Sequence, residues 1–305
     1  MAGVAYSEET ITTPDGTVLF LRAWKGAVED KEAAKRGRPP AGPAPDVDGK
    51  PRAAVVIAHG LADHSGRFRH VAEYFAGLGY TVYAYDHRGQ GKSGGVRGHV
   101  ERFEQFYEDF GFVAGEIRRR RPGIRLFAIG HSMGGLIVLG HAARRPDVVD
   151  GIIASAPCLD LRMKVSGAKK TLVLALARVF PRLSVDTGIP AEHLCHDQNV
   201  VSSYKTDPVR YPRITTRFCV EFESAMKDVR GRAGSFAVPC LFMAGGADPI
   251  VATEVTVEFY ERDPHPDKKL VVWDGLFHEI FNEPQKDEVL KTAADWIAER
   301  EGMPA

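Results

Sequence analysis

A serine flanked by glycines, at a point where a strand pattern changes into a helix pattern, constrains the fold of this chain more than any other feature. Residues 130–135 read Gly-His-Ser-Met-Gly-Gly and match G-x-S-x-G, with Ser132 at the centre. The apolar run before it is typical of a strand, and the run after it is typical of a helix. A sharp turn between them lifts the serine hydroxyl to the end of the strand, and Gly130 and Gly134 let the two backbones approach closely. The pattern therefore predicts a nucleophile at Ser132.

Strand and helix patterns alternate along most of the chain, which predicts an α/β fold. Residues 8–24 have the pattern of a β-hairpin that turns at Pro14-Asp15-Gly16. Such an alternation favours right-handed crossovers and a mostly parallel central sheet flanked by helices. The predicted core strands are continuous apolar runs at 53–58, 81–85, 126–129, 151–154, 238–243 and 269–273, and the helices between and after them include 68–78, 104–121 and 285–299.

Two segments interrupt the alternation. Residues 25–52 are rich in alanine, proline, glycine and charge without a core-forming pattern, and are predicted to be a flexible surface insertion. In residues 159–236 helical patterns follow one another without a strand. We expect this second segment to form a helical cap over the carboxyl edge of the sheet, where ligands bind in such folds. The predicted core then consists of residues 1–158 and 237–305.

An acid and a base follow the serine in the order that a nucleophile elbow of this kind requires. Asp248 comes after the strand 238–243, and His278 comes after the strand 269–273. His278 is expected to accept the Ser132 proton, and Asp248 to orient the ring and stabilise its charged form. Asp274 is the rival acid, but it should lie at the end of the same strand as His278, poorly placed to reach the ring.

Two backbone N–H groups are expected to form an oxyanion hole. One belongs to Met133, directly after the nucleophile, and the other to Leu61, in the loop after the strand 53–58. Removing one such donor typically costs about 2.7–4 kcal/mol of transition-state stabilisation.

Composition excludes several other classes of protein. The 40 basic and 40 acidic residues balance, so nothing favours a nucleic-acid partner. The four cysteines have neither C-x-x-C spacing nor a nearby histidine pattern, so no metal site and no cofactor is predicted. Residues 86–94 lack the spacing of a phosphate-binding loop.

Because the first residues lack a signal-peptide pattern and no apolar run reaches about 20 residues, a cytoplasmic protein is expected.

Taken together, these segments resemble the monoacylglycerol lipase and lysophospholipase-like branch of the α/β-hydrolases, which is grouped with the serine aminopeptidase S33 proteins. Five ordered motifs carry the resemblance, at 59–67, 86–94, 130–135, 245–251 and 277–284. The resemblance implies a capped serine esterase or lipase with the triad Ser132, Asp248 and His278 and an oxyanion hole at Leu61 and Met133.

The resemblance also implies a substrate class, a small-molecule acyl ester of medium or long chain. Asp63 and Arg67 are candidates for contact with a polar alcohol head group. Mammalian monoacylglycerol lipases carry glutamate in place of Asp63 and a second histidine in place of Phe281, so the head group stays open. A short-chain or aryl esterase with the same triad, and a non-catalytic small-molecule binding protein, remain as alternatives. An aminopeptidase would need acidic cap residues at the substrate, for which Glu192, Glu221 and Glu223 are available.

One cap segment combines apolar and basic residues. Residues 168–182 read AKKTLVLALARVFPR, a pattern typical of a helix lying in a lipid interface and equally of a helix packed over the pocket. Both interpretations favour an apolar acyl chain. The first adds a transient membrane contact through the cap, so a peripheral association of the expected cytoplasmic protein stays open. The sequence leaves the oligomeric state open.

Overall fold

The computed structural model describes residues 4–26, 52–162 and 166–301, without the side chains of residues 168–170. An eight-stranded sheet runs through its centre in the order β1-β2-β4-β3-β5-β6-β9-β10, and β7 and β8 form a separate two-stranded ribbon. The strands are β1 Ala5–Thr12, β2 Val18–Lys25, β3 Ala54–Ala58, β4 Thr81–Tyr85, β5 Leu126–His131, β6 Gly151–Ser155, β7 Ser184–Asp186, β8 Arg213–Thr215, β9 Cys240–Gly245 and β10 Lys268–Trp273. The hairpin β1–β2 joins the sheet antiparallel, and the other six strands are parallel.

Eight α-helices belong to the described part of the chain. They are α1 Arg69–Gly77, α2 Glu104–Arg120, α3 Met133–Ala142, α4 Gly167–Val179, α5 Gln198–Thr206, α6 Thr216–Gly231, α7 Thr253–Arg262 and α8 Lys286–Glu301. Within those ranges, no helix combines the length and hydropathy that a bilayer-crossing segment needs.

The sheet has a hydrophobic core on each face, as continuous apolar strands require. Successive side chains of β3 point to opposite faces, so Val55 joins the core under α1 and α8 while Val56 joins the core under α2 and α3. Val55 and Val56 are both fully buried. The predicted α/β fold with a mostly parallel sheet flanked by helices is confirmed.

The segment between β6 and β9 contains α4, α5 and α6 and the ribbon β7–β8. The expectation of a segment without strands was wrong in this detail. Each ribbon strand has only three residues, too few to show an alternating pattern, and the two strands are far apart in the sequence. Helix α6 is held on the core by aromatic side chains, among them Phe222, which stacks on Phe103 with ring centroids 5.7 Å apart.

Other sequence predictions agree closely with the structure. The hairpin turns at Pro14-Asp15-Gly16, and the predicted core strands and helices lie within a few residues of their observed bounds. Most of the predicted insertion 25–52 lies outside the described residues.

Candidate active site

Ser132 lies between β5 and α3 in a backbone conformation that residues other than glycine rarely adopt. Its φ is 54° and its ψ is −117°. This conformation is strained for a residue with a Cβ, and its cost is carried by the surrounding packing. The serine N–H donates to Ser155 O on the neighbouring strand at 2.9 Å, which fixes the turn. The predicted sharp turn is therefore present at Ser132.

The flanking glycines are required by close backbone contacts. A Cβ on Gly134 would lie 2.1 Å from Ala58 O and 2.6 Å from His59 O, and these backbone atoms have little room to move. A Cβ on Gly130 would lie 2.6 Å from Gly134 O. The two glycines of the motif therefore lie where helix α3 crosses closely over the ends of β3 and β5.

His278 and Asp248 meet as the sequence predicts. His278 Nδ1 is 2.7 Å from Asp248 Oδ2, and both side chains are buried. The other carboxylate oxygen of Asp248 accepts the N–H groups of Ile250 at 2.8 Å and Val251 at 3.0 Å. These three donors hold the carboxylate in one orientation. The rival acid Asp274 is exposed at the end of β10.

Asp248 and His278 shift each other's pKa in opposite directions. Burial disfavours the charged form of Asp248, but the His278 ring and the backbone donors hold the pKa of this carboxyl below its ordinary value. Burial also disfavours the charged form of His278, yet the Asp248 carboxylate raises the pKa of the ring above its ordinary value. A carboxylate that stabilises the protonated ring is what a general base needs during attack.

Ser132 and His278 line one cavity at the carboxyl edge of the sheet. Its volume is about 20 Å³, room for about one water molecule. Its apolar wall is formed by Leu61, Ile189, Leu194 and Ile250, and its polar wall includes Asp63, Tyr204 and Glu279. Ile189, Leu194 and Tyr204 come from residues 159–236, so this segment covers the serine.

The expected oxyanion donors lie next to the nucleophile. Met133 is the first residue of α3, so its N–H has no partner within the helix. Leu61 lines the cavity beside Ser132. Two donors at these places can converge on a carbonyl oxygen bound at the serine.

Asp63 lines the same cavity, whereas Arg67 is not among its described lining residues. Arg67 makes a bidentate pair with Glu279, at 2.8 and 2.7 Å, and lies 3.2 Å from Asp63. Burial raises the pKa of Asp63 despite this cation, while the closer bidentate pair holds the pKa of Glu279 below its ordinary value against the effect of burial. The ring of Tyr204 packs against the guanidinium, 4.7 Å from its centre. Arg67 is thus fully engaged by protein groups.

Two polar cavity residues, Glu279 and Tyr204, were missed by the sequence analysis, whereas His131 was expected to flank the site as a structural histidine. Glu279 could have been found from its place next to His278, but Tyr204 reaches the cavity from a cap helix with no motif of its own. The His131 ring packs against the His278 ring at an interplanar angle of 52°, with ring centroids 4.8 Å apart, and burial lowers the pKa of His131 to about 3. A neutral ring at this place packs against the base without competing for its proton.

The candidate acidic residues for an aminopeptidase lie elsewhere. Glu192 pairs with Lys205, Glu223 pairs with Lys227, and Glu221 accepts from the Phe103 N–H and pairs with Arg217. Glu192, Glu221 and Glu223 are absent from the described lining of the cavity.

Comparison with known proteins finds a family profile and relatives that match most of the chain. A profile of the hydrolase family described as serine aminopeptidase, S33, matches residues 49–285. A monoacylglycerol lipase of Mycolicibacterium smegmatis is 36% identical over 262 residues, which are 83% of this chain and 90% of that protein. Phospholipase YtpA of Bacillus subtilis is 30% identical over 247 residues, which are 80% of this chain and 94% of that protein.

A solved structure extends the likeness to three dimensions. The crystal structure of the Paleococcus ferrophilus monoacylglycerol lipase matches with a TM-score of 0.77 and 27% identity, covering 98% of this chain and 99% of that chain. The matched family region contains Ser132, Asp248 and His278. The predicted class is confirmed by these relatives, and the chain, a serine ester hydrolase with an α/β-hydrolase fold, belongs to the serine aminopeptidase S33 family.

Proposed function

We propose that the chain hydrolyses esters of medium or long acyl chains with small polar alcohols, monoacylglycerols or lysolipids, through an acyl-enzyme on Ser132. The observation that carries the proposal is the cavity in which Ser132 and His278 lie between an apolar wall and a wall of hydrogen-bond acceptors. The relatives named monoacylglycerol lipase and phospholipase support the same substrate class.

In the first half of the reaction the Ser132 hydroxyl oxygen attacks the ester carbonyl while His278 Nε2 accepts its proton. The carbonyl oxygen becomes an oxyanion and accepts the N–H groups of Leu61 and Met133. When the tetrahedral intermediate collapses, His278 returns the proton to the departing alcohol oxygen. Asp248 keeps the second ring nitrogen protonated throughout, because its buried carboxylate accepts from Nδ1.

In the second half a water molecule takes the place of the alcohol. His278 accepts a proton from this water, whose oxygen attacks the acyl carbonyl. Collapse releases the carboxylic acid, and the proton returns to the Ser132 oxygen.

The polar wall suits an alcohol with further hydroxyl groups. Asp63, Glu279 and the Tyr204 hydroxyl offer acceptors, while Arg67 is engaged by the two carboxylates. A glycerol hydroxyl could donate to Asp63, and Arg67 would position that carboxylate without touching substrate. A hydrogen bond to a charged acceptor contributes about 1.5–3 kcal/mol.

Asp63→Asn tests this head-group contact. We expect kcat/KM for 1-monoacylglycerols to fall about 10- to 100-fold, while kcat/KM for 4-nitrophenyl esters, whose leaving group has no free hydroxyl, stays within about threefold. An equal loss on both substrates would mean that Asp63 supports the loop and does not contact the head group.

The cap also presents an apolar surface suited to a lipid interface. Leu172, Leu174, Val179 and Phe180 on and after α4 are 58%, 44%, 67% and 60% exposed, and Leu183 is 45% exposed. The described lining of the cavity contains no residue of α4. Large apolar side chains clustered on a surface mark an interaction site, and a lipid interface is the partner that supplies acyl esters.

Vesicle flotation with phosphatidylcholine and phosphatidylglycerol liposomes tests the interface. The double variant Val179→Ser and Phe180→Ser should lose most of the bound fraction, because both side chains are more than half exposed. Val96→Ser is the matched control, since Val96 is 48% exposed outside the cap. Equal binding by all three proteins would exclude this surface as the contact.

The reaction itself is tested by comparing the wild type with Ser132→Ala on 4-nitrophenyl esters from acetate to palmitate and on 1-monoacylglycerols. We expect the variant to lose all turnover and all labelling by a fluorophosphonate probe, and the wild type to prefer octanoate or longer chains. A preference for acetate or butyrate would support a short-chain esterase. Turnover that does not depend on Ser132, or none at all, would overturn the proposal in favour of a binding protein.

A further inference from the structure

Glu283 is fully buried five residues after His278, and the proposed chemistry does not use it. It belongs to the motif at 277–284, of which the triad accounts for His278 alone. A buried carboxylate costs free energy unless hydrogen bonds compensate it. The partners of this carboxylate therefore indicate what it is there to hold.

The donors to Glu283 come from two parts of the protein. The N–H of Phe277, the residue before His278, donates to Oε1 at 2.7 Å. The N–H of His196, in the cap, donates to Oε2 at 2.9 Å, and His196 Nδ1 lies 3.0 Å from both oxygens. The His196 ring also packs on the Phe277 ring, with centroids 3.9 Å apart. One carboxylate thus bridges the catalytic loop and the cap.

A second link lies on the other side of His278. The N–H of Glu279 donates to Leu194 O at 2.7 Å. The residues directly before and after His278 are therefore both tied to residues 194–196 of the cap. The bond from the Phe277 N–H to the carboxylate is charge-assisted and therefore short and directional. Together with the neutral backbone bond from the Glu279 N–H, it restricts the backbone on both sides of His278.

We propose that Glu283 is a positioning residue for His278 and that it joins the cap segment 194–196 and the catalytic loop 277–283 into one unit. This inference rests on the proposed role of His278 as the base.

Further contacts join the next cap residues to the loop that follows β3 and carries Leu61. Arg210, which follows α5, donates to Ala62 O at 3.3 Å, and Asp207 lies 2.8 Å from His64 Nε2. The cap segment 194–210 thus contacts the loop that carries His278 and the loop that carries Leu61. Helix α4, with its exposed apolar side chains, packs instead against α6.

The test compares Glu283→Gln with Glu288→Gln, because the Glu288 side chain is exposed in the first turn of α8. Rates are normalised to the active sites that a fluorophosphonate probe titrates, so that partial unfolding does not lower the apparent kcat. The Phe277 and His196 N–H groups donate to different oxygens of Glu283. Glutamine has only one side-chain oxygen, so its NH₂ group would face one of these two donors. We expect kcat for a soluble 4-nitrophenyl ester to fall about 10- to 100-fold with KM within about threefold, because small displacements of a base cost that much. Glu288→Gln should match the wild type.

His196→Ala provides a second variant that keeps the fold, since His196 is half exposed. It should lower kcat about three- to tenfold, and combining it with Glu283→Gln should add little, because both act through one contact. An unchanged kcat per titrated site in both variants would overturn the inference, whatever their melting temperatures. If turnover by the wild type and by Ser132→Ala were equal, the proposed function would be overturned instead. The two failures are therefore distinguishable.

Discussion

Replacing Asp248 with asparagine removes the negative charge and keeps nearly the same side-chain shape, so it tests the electrostatic role of this carboxylate. The carboxylate oxygen lies 2.7 Å from His278 Nδ1, and both side chains are buried. When Ser132 attacks, His278 becomes a cation centred about 4 Å from the carboxylate charge. At an effective dielectric constant of about 20 this pair is worth about 4 kcal/mol, or about 10³ in rate. Asparagine can also hold the ring in the wrong tautomer, so we expect kcat/KM to fall about 10³- to 10⁴-fold.

The same substitution should move the pH dependence in a defined direction. Asp248 raises the pKa of His278, and activity requires the neutral ring. Activity of the wild type is therefore lost as the pH falls through this raised pKa. Without the carboxylate the pKa of His278 drops, so the acidic limb of the kcat/KM profile should shift to lower pH while its plateau falls.

The assay is 4-nitrophenyl ester hydrolysis across a pH series for the wild type, Asp248→Asn and Asp274→Asn. Asp274 is exposed, and its substitution should leave both plateau and limb unchanged. A large loss in Asp274→Asn, or an acidic limb that stays in place in Asp248→Asn, would refute the assignment of the acid.

Two further predictions concern stability. Gly134→Ala should lower the free energy of unfolding by at least about 3 kcal/mol in urea denaturation, because its Cβ would lie 2.1 Å from a carbonyl oxygen. Gly115→Ala, in a helix with nothing within 4 Å of the added Cβ, should instead stabilise by up to about 1 kcal/mol, and equal effects would contradict the steric argument. Arg67→Met should cost about 3–5 kcal/mol at neutral pH, because it leaves two buried carboxylates without their cation. Protonation relieves those carboxylates, so the difference from the wild type should shrink as the pH falls, and a constant difference would argue against it.

The sequence predicted the parts of the site that local chemistry dictates. The sharp turn at Ser132 could be predicted because it needs glycines at fixed spacing, and those glycines are visible in the chain. The proximity of Asp248 and His278 could be predicted because parallel strands end at one edge of the sheet, which brings distant loops together.

The parts that were missed depend on contacts between segments far apart in the chain. Tyr204 reaches the cavity only through the path of the cap, and the ribbon β7–β8 pairs short segments that have no pattern of their own. The engagement of Arg67 by Glu279 links residues 212 positions apart. No periodicity in a single sequence encodes such a pairing, although the charges that form it are visible there.

The small size of the cavity has a consequence for how affinity should be measured in this protein. The cavity beside Ser132 has room for about one water molecule, and where its lining side chains must move apart to admit an ester, productive binding draws on a population of opened molecules. If about one molecule in a hundred is open, the apparent dissociation constant of every substrate is about a hundredfold weaker than its intrinsic value. A surface that favours the opened state removes this factor for all substrates alike. Assays in dilute aqueous solution would then give apparent dissociation constants that are too weak by the same factor for every substrate, while the ranking of substrates would stay the same.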